Sequence, residues 1–286
     1  MPVRRIAAEP ASRLAIWARR IAGFSLPVVL LAIIIARAGL LEIVPVLATF
    51  GAALAMAVIG IVLALISLIG IWQHGIEGLG AALTAIAIGV ALLAYPSYFA
   101  VLGYRLPAIN DITTDPIDPP RFETIGRLRS RQANPIAYAG LYAAEQQKAA
   151  YPDIVPLDLD VSPQGAYDAT MAVITKRRWQ VINARPPQGG RDGYIEAVAR
   201  TLIMGFRDDV AVRIRAVPSG LGARIDVRSA SRYGRGDFGT NARRIRALLD
   251  DVDDVSGAEK EKPEAPARPA PKAKPAPTKA NQSTKR

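Results

Sequence analysis

The chain has 286 residues, a formal net charge of +11 and 50% hydrophobic residues, with no cysteine and a single histidine. The absence of cysteine excludes disulfides, zinc–thiolate sites and thiol nucleophiles. The histidine, His74, lies between two apolar runs, so the sequence beyond residue 105 has no histidine for a serine triad or a metal site. We therefore expect no metal and no cofactor in that region.

Three long apolar runs, at about residues 21–41, 47–72 and 78–102, follow a basic N-terminus. Each is long enough to cross about 30 Å of hydrocarbon as a helix, and a helix satisfies its own backbone hydrogen bonds in lipid. We therefore predict that residues 21–104 form three spans in contact with the lipid bilayer. Arg37 lies close to the end of the first run, where its side chain can reach the head groups.

Small residues recur at four-residue spacing within these runs, and this spacing lets helices approach closely in lipid. It favours packing of the three helices against one another, with a specific oligomer as the alternative. The residues concerned are Gly51 and Ala55, Gly60 and Ala64, and Ala81, Ala85 and Gly89.

The first 20 residues contain five arginines against one acidic residue, Glu9. An excess of Lys and Arg marks cytoplasmic flanks, so the N-terminus is predicted to stay inside and three crossings place residue 105 onward outside. The triplet Ala36-Arg37-Ala38 resembles a signal-peptidase site. Cleavage after Ala38 would leave two spans and the same location for the downstream region, so the sequence leaves cleavage open.

The positive charge is concentrated in the two ends of the chain, residues 1–20 and 256–286, whereas residues 105–255 are close to balanced. A nearly balanced domain without a zinc-finger or aromatic RNA-binding signature argues against a nucleic-acid partner. After Ser256 the composition is mainly Pro, Ala, Lys and Glu, which predicts a disordered tail.

Residues 105–255 are predicted to form one α+β domain. Asn134-Pro135 and Ser162-Pro163 each combine an N-cap residue with a proline in the first turn, so helices should run from there to about Ala150 and Arg178. The alternation that begins at Trp179 predicts an antiparallel sheet of about four strands with flanking helices. The predicted strands span residues 179–184, 194–203, 210–217 and 223–230.

The last two predicted strands flank a turn at residues 218–222. When their apolar faces are matched, Ile214 lies opposite Ile225, and Arg213 lies opposite Asp226. Alternation of this kind predicts one face on a hydrophobic core and one exposed face that carries arginines.

Residues 234–239 spell G-x-G-x-x-G ahead of a predicted helix at 240–249. A dinucleotide fold would need a further parallel strand, but an acidic run follows instead. Arg228, Arg232 and Arg235, beside free amides at the helix start, could hold an anion, and Asp237 completes the predicted site. The alternative is a glycine loop that turns the corner, with Asp237 or Thr240 capping the helix.

Several motifs between about residues 107 and 250 resemble the family filed as domain of unknown function 1499. They are Asn110-Asp111-Ile112-Thr113-Thr114-Asp115, Pro119-Pro120, Tyr151-Pro152-Asp153, Gly205-Phe206-Arg207-Asp208-Asp209 and Asp226-Val227-Arg228-Ser229-Ala230-Ser231-Arg232. The resemblance implies a bacterial envelope protein, and hence an inner-membrane anchor with a periplasmic domain. The family has no established activity, so the resemblance implies no catalytic residues.

Two functional hypotheses follow. The first is a non-catalytic envelope module that binds a partner protein or an anionic ligand. The second is a hydrolase that uses carboxylates, since paired carboxyl groups with separated pKa values perform acid–base chemistry. Its candidates are Asp208, Asp209, Asp226 and Asp237.

Overall fold

The computed structural model of the chain describes residues 11–217 and 222–260. Its first part is a bundle of three helices, α1 (Arg13–Ala38), α2 (Ile43–His74) and α3 (Leu79–Arg105). All three are long and apolar enough to cross a membrane, which confirms the three predicted spans. The first helix begins earlier than predicted because Ser12 caps it, its Oγ accepting a hydrogen bond from the Ala15 N–H at 3.3 Å.

Small residues bring the three helices together, as predicted. A methyl group at Gly60 would lie 3.0 Å from Cβ of Ala22 in α1, and one at Gly89 would lie 2.5 Å from Cγ1 of Ile61 in α2. A methyl group at Gly51 would meet no atom within 4 Å. Gly60 and Gly89 therefore allow close helix packing within the chain, whereas Gly51 lies away from these contacts.

The second part is an α+β domain with an antiparallel sheet, as predicted. Its helices are α4 (Leu141–Ala150), α5 (Pro163–Lys176) and α6 (Thr240–Lys260). Its strands are β1 (Asp111–Thr113), β2 (Leu157–Leu159), β3 (Gln180–Arg185), β4 (Gly193–Arg200), β5 (Arg207–Ala216) and β6 (Ala223–Ser231). The order is β1-β6-β5-β4-β3, and β2 also pairs with β6.

The four long strands correspond to the four predicted ones. The two additional strands, β1 and β2, have three residues each, too few to show a clear alternation. The register between β5 and β6 is the predicted one, with Arg213 opposite Asp226 and Ile214 opposite Ile225. Residues 218–221 of the predicted turn lie outside the described residues.

The apolar face of the sheet lies under α5 and α6. Ile195, Val212 and Ile225 from the strands pack in one hydrophobic core with Ile174 of α5 and Ile245 of α6. Apolar surface buried in this layer stabilises the domain by about 25 cal/mol per Å².

The opposite face of the sheet is also covered, which corrects the prediction of an exposed arginine-bearing face. Phe122 and Ile125 pack over it in a second small core, against Val198 of β4 and Ala230 of β6. Asp226 on this face is 0% exposed. The alternation in β5 and β6 therefore predicted which side chains share a face, but a proline-rich segment without periodicity supplies the cover.

Two helix boundaries in the α+β domain also differ from the prediction. α4 begins at Leu141 rather than at Pro135, because Asn134 does not cap a helix. Its side-chain amide instead donates hydrogen bonds to the carbonyl oxygens of Ser231 and Gly234, both at 2.9 Å. The segment before α4 is thereby held against the end of β6.

α6 continues to Lys260 instead of ending at residue 249. Leu248 and Val252, one turn apart, are both fully buried, so the apolar stripe of the helix runs past the acidic residues. Residues 256–260, expected to begin the disordered tail, extend this helix. The remainder of the predicted tail lies outside the described residues.

Candidate anion site at the membrane-facing end of the sheet

Arg228, the first predicted site residue, forms a buried ion pair. Its Nε and Nη2 donate to Oδ1 and Oδ2 of Asp111 at 3.0 and 2.6 Å. Its guanidinium also lies 4.6 Å from the centre of the Phe122 ring. Burial raises the pKa of Asp111 in spite of this pairing. The positive charge of Arg228 is therefore already matched by a carboxylate within the domain.

Arg232 is also engaged with a carboxylate. Its Nε and Nη2 donate to Oδ1 of Asp209 at 2.9 and 2.8 Å, and the second oxygen of Asp209 accepts from Nε of Arg129 at 2.7 Å. Asp209 is fully buried between the two guanidinium groups. Arg129 and Arg232 thus share one carboxylate, which leaves this cluster with a surplus positive charge.

Asp237 caps α6, as the alternative interpretation of the glycine loop predicted. Its two carboxylate oxygens accept hydrogen bonds from the N–H groups of Gly239 and Asn241 at 2.9 and 2.7 Å. Burial raises the pKa of Asp237 above its ordinary range. Arg235, in the same loop, is exposed, and its guanidinium has no hydrogen bond or ion pair with any residue that the structure describes. Arg228 and Arg232 therefore have separate carboxylate partners, and Arg235 has none among the described residues.

The carboxylates of the hydrolase hypothesis are distributed over both faces of the sheet. Asp208 pairs with Arg244 at 2.5 Å, and Asp226 pairs with Arg215 at 2.7 Å and with Arg213 at 3.1 Å. Burial raises the pKa values of Asp208 and Asp226. Within residues 11–217 and 222–260, no three His, Asp or Glu side chains are placed to hold a metal ion.

The sheet domain contacts the helix bundle through the turn between β4 and β5, residues 201–206. Nη1 of Arg37, at the end of α1, donates to the carbonyl oxygens of Leu202 and Ile203 at 2.6 and 3.2 Å. In the opposite direction, Nη1 of Arg200 in the domain donates a hydrogen bond to the Arg37 carbonyl oxygen at 3.2 Å. These bonds place one end of the sheet beside the helix ends, at the edge of the apolar layer.

A second contact joins α3 to the loop that follows β6. The ring of Phe238 lies edge-on to Phe99 with the ring centres 5.4 Å apart. Phe238 has a φ of 53°, and its Cε1 atom would lie 2.9 Å from a methyl group at Gly103. A left-handed conformation in a bulky residue carries strain that the surrounding contacts must hold. Contacts made by Arg37 and by Phe238 therefore both fix the domain to the bundle.

Among the residues that the structure describes, three arginines at this end of the sheet have no carboxylate partner. Arg200 and Arg207 lie directly opposite each other on β4 and β5, and Arg37 bonds only to backbone carbonyls. In the described part of the chain, no hydrogen bond or ion pair engages the Arg207 guanidinium. Like charges placed opposite each other destabilise an antiparallel pair, so an anion at this position would stabilise the domain.

A cavity of about 130 Å³ lies between this end of the sheet and the connection from α1 to α2. Nη2 of Arg207 lies 3.3 Å from the position of a methyl group at Gly39, in the wall of the cavity. The residues that line it are Ala36, Gly39, Leu41, Ile43 and Val46 from the bundle, and Gly205, Phe206, Arg207, Arg232 and Tyr233 from the domain. Of the four predicted site residues, only Arg232 lines this cavity.

The cavity also lies at the start of α2. Glu42 is the N-cap residue, but its side chain makes no capping hydrogen bond. It accepts a hydrogen bond from Nε2 of Gln132 instead. The N-terminus of a helix carries a partial positive charge and free N–H groups, which attract anions. Arg207, which has no partner among the described residues, and the N-terminus of α2 therefore both border this cavity.

The sequence did not point to Arg200 or Arg207, because their opposition becomes visible only in the register of β4 and β5. A comparison with curated proteins found no match for the chain. Residues 111–252 match the model of a family described as Protein of unknown function (DUF1499), which confirms the resemblance seen in the motifs over the stretch from β1 into α6.

Proposed function

We propose that this chain is a bacterial inner-membrane protein whose α+β domain lies on the periplasmic side and binds an anionic ligand without catalysis. The observation that carries the proposal is the exposed guanidinium of Arg207, which has no partner in the described ranges 11–217 and 222–260 and lies in the wall of a cavity at the start of α2. Arginine is well suited to bind phosphate or carboxylate through two parallel hydrogen bonds.

The state of the carboxylates favours binding over hydrolysis. A general acid or base must reach the proton that it transfers. Asp208, Asp209 and Asp226 are each buried against arginines, and Asp237 is occupied by two backbone N–H groups. None of the four lines the cavity at Arg207.

The arrangement of the helices supports the proposed orientation. Three consecutive spans place the start of α1 and the end of α3 on opposite sides of the bilayer. Arg13, Arg19 and Arg20 lie near the start of α1, where Ser12 donates a hydrogen bond to the Glu77 carbonyl oxygen at 2.8 Å. An arginine-rich flank favours the cytoplasmic side, so the domain at the other end would be periplasmic.

The binding site is tested with inorganic phosphate. Full-length protein in an uncharged detergent is heated at increasing phosphate concentration, with ionic strength held constant by chloride. A ligand that binds the folded state raises its stability by RT ln(1 + [L]/Kd). We expect the melting temperature to rise for the wild type and to stay constant for Arg207→Gln.

Arg235→Gln is the matched control, because Arg235 is exposed in the glycine loop and does not line the cavity. It should respond to phosphate like the wild type. A response lost in Arg235→Gln and kept in Arg207→Gln would assign the anion to the glycine loop. The absence of any response in the wild type would contradict anion binding.

A further inference from the structure

We infer that the anion is the phosphate of an anionic phospholipid in the leaflet next to the domain, bound between Arg207 and the first turn of α2. This inference rests on the proposed function, because it identifies the ligand of the same cavity. The acyl chains would remain in the bilayer, along the apolar surface where α1 ends and α2 begins.

The position of the cavity favours a lipid over a soluble anion. One wall consists of the ends of two membrane-spanning helices, with Ala36, Ile43 and Val46. The cavity therefore lies at the depth at which phospholipid head groups meet the hydrocarbon. An arginine at this depth can bind a lipid phosphate through the same charge-assisted hydrogen bonds that it forms with other phosphates.

The surface beside the cavity is apolar. Leu40 and Val44 are 70% and 63% exposed, and Leu41, which lines the cavity, is 53% exposed. A soluble phosphate would gain nothing from these side chains. A phospholipid presents an anionic group and hydrocarbon within a few ångströms of each other, so it would contact both the arginine and the leucines.

The charges at the cavity favour a net anionic head group. Arg200 and Arg207 face each other across β4 and β5, and Arg232 shares Asp209 with Arg129. Glu42 adjoins the cavity wall, and its carboxylate accepts a hydrogen bond from Gln132. A zwitterionic lipid would bring a second cation towards these arginines, whereas phosphatidylglycerol would not.

The volume of the cavity fits a head group and not a whole ligand. It measures about 130 Å³, below the roughly 300–1,000 Å³ of cavities that enclose drug-sized molecules. A phosphate group can enter while the rest of the lipid stays outside. The ligand is thus expected to be exchangeable with the surrounding leaflet.

Native mass spectrometry of the full-length protein tests this inference. The protein is released from nanodiscs that contain equal amounts of phosphatidylglycerol and phosphatidylcholine with identical acyl chains, and the retained lipid is measured. We expect about tenfold preferential retention of phosphatidylglycerol by the wild type and by Arg235→Gln. Arg207→Gln should lose this preference. Equal retention of both lipids by the wild type would overturn the inference.

Leu40→Ser separates the lipid from a soluble anion, because Leu40 lies exposed beside the cavity without lining it. It should weaken retention of phosphatidylglycerol and leave the stabilisation by inorganic phosphate unchanged. If phosphate stabilises the protein but no lipid preference is found, the ligand is a soluble anion, and the inference fails while the proposed function stands. If neither probe binds, both fail.

Discussion

Nη1 of Arg37, at the end of the first membrane-spanning helix, donates a hydrogen bond to the Leu202 carbonyl oxygen at 2.6 Å. The sequence placed Arg37 near the head groups, and the structure directs its guanidinium into the sheet domain. The bond links a helix end to the β4–β5 turn across 165 residues of chain. It brings Arg200 and Arg207 beside the membrane helices, where the proposed ligand lies.

Replacing Arg37 with alanine should loosen this contact. The turn at residues 201–206 would keep its local bonds, such as that from the Thr201 N–H to the Phe206 carbonyl oxygen at 2.9 Å, but would lose those from Arg37. We expect amide hydrogen exchange in the turn to become about tenfold faster, equivalent to about 1.4 kcal/mol. Arg20→Ala, in the same helix beside Trp17, is the control. Unchanged exchange in Arg37→Ala would show that other contacts fix the domain.

The close packing of α2 against α3 predicts a sharp difference between two glycines. In Gly89→Ala the new methyl group would lie 2.5 Å from Cγ1 of Ile61 and 3.1 Å from the Ala57 carbonyl oxygen. The Ile61 side chain or the helix backbone must shift, at a cost of about 1–3 kcal/mol. Gly51→Ala meets no atom within 4 Å and should cost nothing. Thermal unfolding in detergent compares them, and equal stability would contradict the packing of α2 on α3.

The buried ion pair of Arg228 predicts a structural role for this residue. Arg228→Ala leaves Asp111 buried without its partner, which should destabilise the domain by about 3–5 kcal/mol. Arg224→Ala is the matched control on the same strand, because Arg224 pairs with Asp158 at the surface. Exposed pairs contribute about 0–1 kcal/mol. Chemical denaturation compares the two variants, and an Arg228→Ala variant as stable as the wild type would contradict the structural role of the Arg228–Asp111 pair.

The capping carboxylate of Asp237 predicts a stability that falls as the pH rises. Burial raises its folded-state pKa above the ordinary value of 3.8. The contribution of Asp237 to the stability of the domain is therefore complete below pH 3.8. It is lost as the pH rises through the pKa that Asp237 has in the folded state. Asp237→Asn should remove this part of the pH dependence, with a constant loss of about 1 kcal/mol from one unpaired N–H.

Asp153 should show the opposite behaviour. The hydrogen bond from Arg246 lowers the pKa of Asp153, so its contribution is present above 3.8 and is lost as the pH falls through the folded pKa. Asp153→Asn should flatten the acid side of the stability profile. Thermal melts of both variants across the acidic range measure the two slopes. Identical stability profiles for Asp237→Asn and Asp153→Asn would contradict the opposite pKa shifts of the two carboxyl groups.

The register of the sheet could be predicted because two independent patterns agree. Alternation places Ile214 and Ile225 on the same face, and the same alignment pairs Arg213 with Asp226. A shift by one residue would move every apolar side chain to the other face. Both patterns lie within the neighbouring strands β5 and β6, so the local sequence was enough to predict their register.

The cover over the second face could not be predicted in the same way. The segment that crosses it is rich in proline and turns, and it is held by contacts that leave no period. The Glu196 carboxylate, for example, accepts hydrogen bonds from the N–H groups of Thr124 and Ile125 at 2.9 and 3.3 Å. Such contacts join residues more than 70 positions apart, so local patterns do not reveal them.

The sequence does not reveal the candidate site, for a related reason. Its motifs indicate arginines around the glycine loop, where they are close in sequence. Arg207 becomes a candidate only when the strand register places it opposite Arg200 and the helix bundle places the start of α2 beside it. The unpaired state of a charged side chain is a property of the folded chain alone.

The most direct test uses single cysteines, since the chain has none of its own. Val155→Cys lies on the exposed surface of the domain, and Glu77→Cys lies in the connection between α2 and α3. A membrane-impermeant maleimide applied to intact spheroplasts should label Val155→Cys at once and Glu77→Cys only after lysis. Labelling of Glu77→Cys in intact spheroplasts, with Val155→Cys protected, would contradict a periplasmic domain carried by three spans.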